Sequence, residues 1–119
     1  KYREWRKKMK NIVLIGMPGC GKSTIGVVLA KVLGFDFVDA DVLIQKKHGK
    51  LLRELIAEYG DDGFLQIEND VNKEIDLKNT VIATGGSVVY CDEAMQHYVK
   101  NDIVVCIELP YGPLPDWKM

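Results

Sequence analysis

The chain has 119 residues, enough for one domain around one core. With 47% hydrophobic residues, 28% charged residues and a net charge of −1, it reads as an ordinary soluble protein with no overall attraction to nucleic acid or membrane surfaces. No apolar run approaches the ~20 residues of a membrane span. Cys20, Cys91 and Cys106 are odd in number and form no CxxC pair, which argues for a reducing cytoplasm and against a disulfide frame or zinc site. His48 and His97 stand alone and read as surface residues.

Six basic residues crowd positions 1–10 and read as a solvated tail. Met9-Lys10-Asn11 directly precedes the first apolar run, so Met9 is the expected start, with residues 1–8 a basic N-terminal extension and 9–119 the domain. Residues 11–15 read as a buried strand and 16–21 as a loop. Ser23 to Leu33 reads as a helix whose apolar stripe is Ile25, Val28, Leu29 and Val32, stopped by Gly34. Phe35 to Val38 is a short second strand, followed by a helix over 42–47 with Asp41 as candidate N-cap.

Leu52, Leu55, Ile56 and Tyr59 mark a further helix, Gly60 to Gly63 a turn, and Phe64 to Leu77 a helix burying Phe64, Ile67, Val71 and Ile75. Val81 to Ala83 is the third strand, ended by Gly85-Gly86. Asp92 caps a helix over 93–100, and Ile103 to Leu109 is the fourth strand. Apolar runs alternating with helical patterns predict an α/β fold with a parallel sheet. Three prolines after the fourth strand keep a returning helix from starting cleanly.

Gly16-Met17-Pro18-Gly19-Cys20-Gly21-Lys22-Ser23 fits the phosphate-loop pattern G-x-x-x-x-G-K-[ST], with a strand before it and a helix after. Its glycines let backbone N–H groups turn onto phosphate oxygens, and the helix N-terminus adds partial positive charge. Gly16, Gly19, Cys20, Gly21, Lys22, Ser23 and Thr24 are therefore the candidate nucleotide site, with Lys22 at the β- and γ-phosphates and the Ser23 hydroxyl on Mg²⁺. Cys20 is a small residue that fits the loop.

Asp39-Ala40-Asp41 closes strand two at the carboxyl edge, where ligands of parallel sheets sit. One aspartate can hold Mg²⁺ through water, and the other can accept a proton from an attacking hydroxyl. Gly85-Gly86 closes strand three on the same edge and permits close approach of substrate.

Taken together, IVLIGMPGCGKSTIG, DAD at 39–41, FLQIE at 64–68 and ATGGS at 83–87 resemble the shikimate kinase family over residues 11 to about 109. The resemblance implies a three-layer phosphate-loop fold with strand order 2-3-1-4-5, and transfer of the ATP γ-phosphate to the 3-hydroxyl of shikimate. By position it implies ATP and Mg²⁺ at Lys22 and Ser23, metal assistance by Asp39, and Asp41 as substrate ligand and base. Gly85 and Gly86 are the implied substrate contacts. Leu65 stands where the family has its substrate-carboxylate arginine, and Ser87 where it has a third glycine.

The pattern is also incomplete at the C-terminus: the fifth strand and lid are absent, which implies weak nucleotide binding and poor turnover. The expected partner is a small hydroxyl acceptor, shikimate or similar, with no nucleic acid and no membrane. The chain is expected to be a monomer whose open sheet edge allows self-association. Leu65 favours a kinase of another acceptor as the alternative, and the missing lid favours a non-catalytic nucleotide-binding fragment.

Overall fold

The computed structural model describes residues 10–17 and 19–108. Four parallel strands form one sheet: β1 (Ile12–Gly16), β2 (Asp36–Asp39), β3 (Thr80–Ala83) and β4 (Ile103–Ile107). Their order is β2-β3-β1-β4. That is the expected family order through its fourth strand. Ile12 aligns with Val81 on one side and Ile103 on the other, while Asp36 aligns with Thr80. Four helices connect the strands: α1 (Lys22–Leu33), α2 (Ala40–His48), α3 (Leu52–Lys73) and α4 (Asp92–Asn101). A single 3-10 turn over Val88–Tyr90, unforeseen in the sequence, leads into α4.

The alternation of β1 splits the core into two layers. Val13 and Ile15 face Val88, Cys91, Ala94 and Tyr98 on the α4 side. Ile12 and Leu14 face Ala30, Phe35 and Val81 on the α1 side. Ile44, Leu55 and Val71 form a smaller cluster between α2 and α3. This gives the three-layer arrangement expected of a parallel α/β unit.

Several local expectations change. Of the predicted apolar stripe of α1 only Leu29 packs against the core; Ile25, Val28 and Val32 are 43%, 58% and 76% exposed. Gly26 and Ala30 take their place, because the helix sits so close that a Cβ on Gly26 would stand 2.6 Å from the Phe37 ring. Size, not hydropathy, sets which face of α1 is inward. Asp41 is not the cap of α2. Asp39 is, its Oδ1 accepting from the Asp41 backbone N–H at 2.9 Å.

The predicted turn at 60–63 is one non-helical residue, Gly60, with φ 75°, and α3 runs through it as a kinked helix ending at Lys73. Residues 92–101 form α4, so Asp92 lies in its first turn and Cys91 precedes it. The predicted buried face of α3 is also incomplete: Glu68, Asn69 and Asn72 are buried there alongside Val71. Their partners lie elsewhere in the chain. Asn69 Oδ1 accepts from the Ala94 backbone N–H, Asn72 pairs with the Tyr98 hydroxyl, and Glu68 accepts from Ser87. His97 is half-buried, its Nε2 2.8 Å from the Ile75 carbonyl oxygen. The basic extension, Pro18, Leu109 and the prolines after the fourth strand lie outside the described residues.

Candidate active site at the carboxyl edge of the sheet

The loop after β1 carries the first half of the site. Gly16 has φ 154°, and a Cβ there would meet the Ile107 carbonyl oxygen at 2.6 Å, so β4 lies against the loop at a point only glycine tolerates. Gly21 enters α1 at φ 85°, a left-handed conformation. Lys22 is 8% exposed, and its Nζ donates to the carbonyl oxygens of Gly16 at 2.8 Å and Met17 at 3.0 Å. It also lies 3.6 Å from Cys20 Sγ. The ammonium is thus held over the loop by neutral acceptors.

Ser23 Oγ donates to Asp39 Oδ2 at 3.0 Å. Asp39 therefore spends one oxygen on capping α2 and the other on the hydroxyl at the start of α1. This hydroxyl and carboxylate form a pair of hard oxygen ligands, a donor set that suits Mg²⁺, which typically takes one or two protein groups and completes its shell with phosphate and water.

The second half of the site comes from α2 and the segment after β3, with Glu68 of α3 close behind. Thr84 donates its hydroxyl to the Leu14 carbonyl oxygen at 2.7 Å, tying that segment to β1. Gly85 follows, buried, in a backbone conformation outside the left-handed region. A Cβ there would stand 2.7 Å from both Asp41 Oδ1 and Glu68 Oε2. Two carboxylates thus flank one glycine. Burial pushes the Asp41 carboxyl above its ordinary value, the Asp39 charge adds to that, and Lys22 opposes it. Burial also raises Glu68, with the Ser87 hydrogen bond pulling it down and Asp41 pushing it up. Burial pushes the Cys91 thiol up to about 12, so it is not a thiolate near neutral pH.

One cavity of about 320 Å³ brings the two halves together. It is lined by Gly19, Gly21, Lys22, Ser23 and Thr24 on one side and by Asp39, Asp41, Thr84, Gly85 and Gly86 on the other. Of the residues expected from the sequence, Gly16 and Cys20 lie behind this lining. Thr84 was missed, although its place directly before the glycine pair is a signal. Leu65 does not reach the cavity: it is half-buried and packs against the Val13, Ile82 and Val88 cluster. Among the described residues no helix is long and apolar enough to cross a membrane.

Comparison with known proteins agrees with this geometry. A family model described as shikimate kinase matches residues 18–114. A shikimate kinase of Clostridium botulinum is 49% identical over 104 residues, covering 86% of this chain and 62% of its own length. One from Thermodesulfovibrio yellowstonii is 46% identical over 100 residues, covering 83% and 58%. The solved shikimate kinase of Acinetobacter baumannii, in complex with shikimate, superposes with a TM-score of 0.85 at 32% identity, covering 92% of this chain and 62% of that one. A gluconokinase from Sinorhizobium meliloti, 19% identical with a TM-score of 0.54, shares the fold alone. The chain spans about three-fifths of the length of the relatives it matches. With more than half of its residues matched by the family model, the chain belongs to the shikimate kinase family.

Proposed function

We propose that the protein transfers the γ-phosphoryl group of Mg·ATP to the 3-hydroxyl of shikimate, as a cytoplasmic, monomeric enzyme of aromatic amino acid biosynthesis. The observation that carries this reading is the shared cavity: Lys22 and the Ser23–Asp39 pair line one side, Asp41, Gly85 and Gly86 the other. A phosphate donor and a hydroxyl acceptor can meet there. The family membership and the shikimate bound to the Acinetobacter relative support the choice of acceptor. Three free cysteines suit a reducing compartment.

Each residue has a distinct task. The backbone N–H groups of Gly19 to Ser23 and the N-terminus of α1 receive the phosphates. Lys22 exchanges the carbonyl oxygens of Gly16 and Met17 for phosphate oxygens, replacing neutral acceptors by charge-assisted ones. Ser23 and Asp39 would hold Mg²⁺, which would supply neutralising charge to the phosphates. Asp41 accepts a hydrogen bond from the acceptor hydroxyl and takes its proton, a role to which its raised pKa is suited. Gly85 and Gly86 let the acceptor lie against backbone.

A second reading rests on Leu65. Its side chain is committed to the apolar core and offers nothing to an acceptor carboxylate from this position. A different small hydroxyl acceptor is the reading this favours. Incubation with Mg·ATP and a panel of shikimate, other hydroxy acids and sugars, with product detected by mass, separates the two. Phosphorylation of shikimate ahead of the rest supports the first. Phosphorylation of another acceptor with shikimate untouched supports the second. Failure to bind Mg·ATP overturns both.

A further inference from the structure

Glu68 is a carboxylate that the phosphoryl-transfer scheme does not use. It sits on α3, 1% exposed, and is not among the residues lining the site cavity. Its Oε1 accepts from Ser87 Oγ at 2.6 Å. Its Oε2 comes close to Gly85, at a point that Asp41 Oδ1 reaches as well. Each oxygen is 2.7 Å from that point, so the two carboxylates are no further apart than twice this distance. Among the described residues no lysine, arginine or histidine pairs with Glu68. The side chain of Leu65, one turn earlier on the same helix, offers only apolar contact. The Ser87 hydroxyl is therefore the donor on which this buried acid depends.

We propose that Ser87 is a positioning residue of the acceptor side, its hydroxyl holding Glu68 behind Gly85 and so keeping Asp41 and the Gly85-Gly86 backbone in place for the acceptor. The proposal rests on the kinase reading above for its acceptor. Without the tether, a buried carboxylate with no other donor is driven to move or to take up a proton. Its free oxygen and Asp41 Oδ1 both lie 2.7 Å from where a Cβ on Gly85 would stand, and Gly85 and Asp41 line the cavity. The phosphate loop lies on the other wall and is untouched. Loss of Ser87 is thus felt by the acceptor and not by ATP.

The test compares Ser87→Ala with Ser87→Thr, which keeps a hydroxyl, in steady-state assays varying each substrate. Ser87→Ala is expected to raise the acceptor KM by about ten-fold, in line with loss of a hydrogen bond to a charged group. The ATP KM is expected to stay within about two-fold, and Ser87→Thr to restore the acceptor KM. In a Glu68→Gln background, where no charge is left to displace, Ser87→Ala is expected to change the acceptor KM by less than about two-fold. An unchanged acceptor KM in the single mutant, equal shifts for both substrates, or no rescue by threonine overturns the proposal.

A second readout does not need activity. Carboxyl ¹³C NMR of Glu68 is expected to show its titration moving upward in Ser87→Ala. Asp41 on α2 is the ionisable group whose charge acts on Glu68, and Cys91 before α4 and Tyr98 on α4 sense the Glu68 charge; all three are retained. An unmoved titration overturns the role of Ser87. Failure to phosphorylate any acceptor overturns the kinase reading instead, and the NMR result then decides Ser87 alone.

Discussion

Gly85→Ala puts one methyl group between the two carboxylates that flank the acceptor wall. The backbone at Gly85 accepts an alanine, since its φ is not positive. The cost is therefore local and steric. The new Cβ would start 2.7 Å from Asp41 Oδ1 and from Glu68 Oε2, and an ordinary contact begins near 3.4 Å, so the carboxylates must retreat by about 0.7 Å. Glu68 is buried and tethered by Ser87, which leaves Asp41 to take most of the displacement. Misplacing a reacting group by 1 Å can cost about 10²-fold in rate. The expected loss in kcat/KM for the acceptor is thus about 10- to 100-fold, or roughly 1.4 to 2.7 kcal/mol of transition-state stabilisation. The ATP KM is expected to stay within about two-fold, because Lys22 and Ser23 are on the opposite wall. Initial rates with each substrate varied, beside a circular dichroism melt, measure this. A folded mutant with unchanged acceptor kinetics refutes the placement of Asp41 at the acceptor.

Lys22→Ala removes the one ammonium that lines the cavity among the described residues and is expected to weaken Mg·ATP binding by about ten-fold or more, given ~1.5–3 kcal/mol per hydrogen bond to a charged group. Isothermal titration calorimetry checks it, and unchanged affinity refutes the phosphate-loop role. Leu65→Arg sets a guanidinium one turn from Glu68 at i,i+3 and trades an apolar core contact for it. If the acceptor is a carboxylic acid, its KM is expected to fall by about ten-fold, at the expense of about 1–3 kcal/mol of stability. Acceptor kinetics and denaturant melts on the same sample check both halves.

What the sequence disclosed and what it hid divide along physical lines. The phosphate loop, the aspartate pair and the glycine pair were legible because each is a short run whose residue types are demanded by backbone geometry or phosphate chemistry. The parallel sheet was legible because its central strands β1 and β3 are buried and read as apolar runs, with helical patterns between the strands. Assigning the cap to Asp41 failed because Asp39 and Asp41 can each cap a helix, and a two-residue shift in the start of α2, from 42 to 40, decides between them. The inward face of α1 was misread because hydropathy marks Ile25, Val28 and Val32, whereas the close approach of Phe37 selects Gly26. Glu68, Asn69 and Asn72 were invisible as a buried polar set because Ser87, Ala94 and Tyr98 satisfy them from 19 to 26 residues away. No local pattern encodes a partner at that separation.

The same buried set gives the protein a defined response to pH. Glu68 is held above its ordinary value by burial first and by Asp41 second, with Ser87 opposing both. A carboxyl whose folded-state pKa is raised favours the folded state when protonated. Its contribution is therefore fully present below the unfolded value of 4.5 and is lost as pH rises through the folded value. Glu68→Gln keeps an oxygen for the Ser87 hydroxyl and removes the ionisation. The mutant is expected to lose less stability than the wild type between pH 4 and neutrality, so the gap between them widens with rising pH. Asp102, also raised, is present in both proteins and cancels in the difference, while Asp41 loses a neighbouring negative charge in the mutant, which widens the gap in the same direction. Urea denaturation at a series of pH values measures the gap. A gap that stays constant, or that narrows as pH rises, means that Glu68 is not a strained buried acid in the folded protein, and the tethering role of Ser87 loses its physical basis with it.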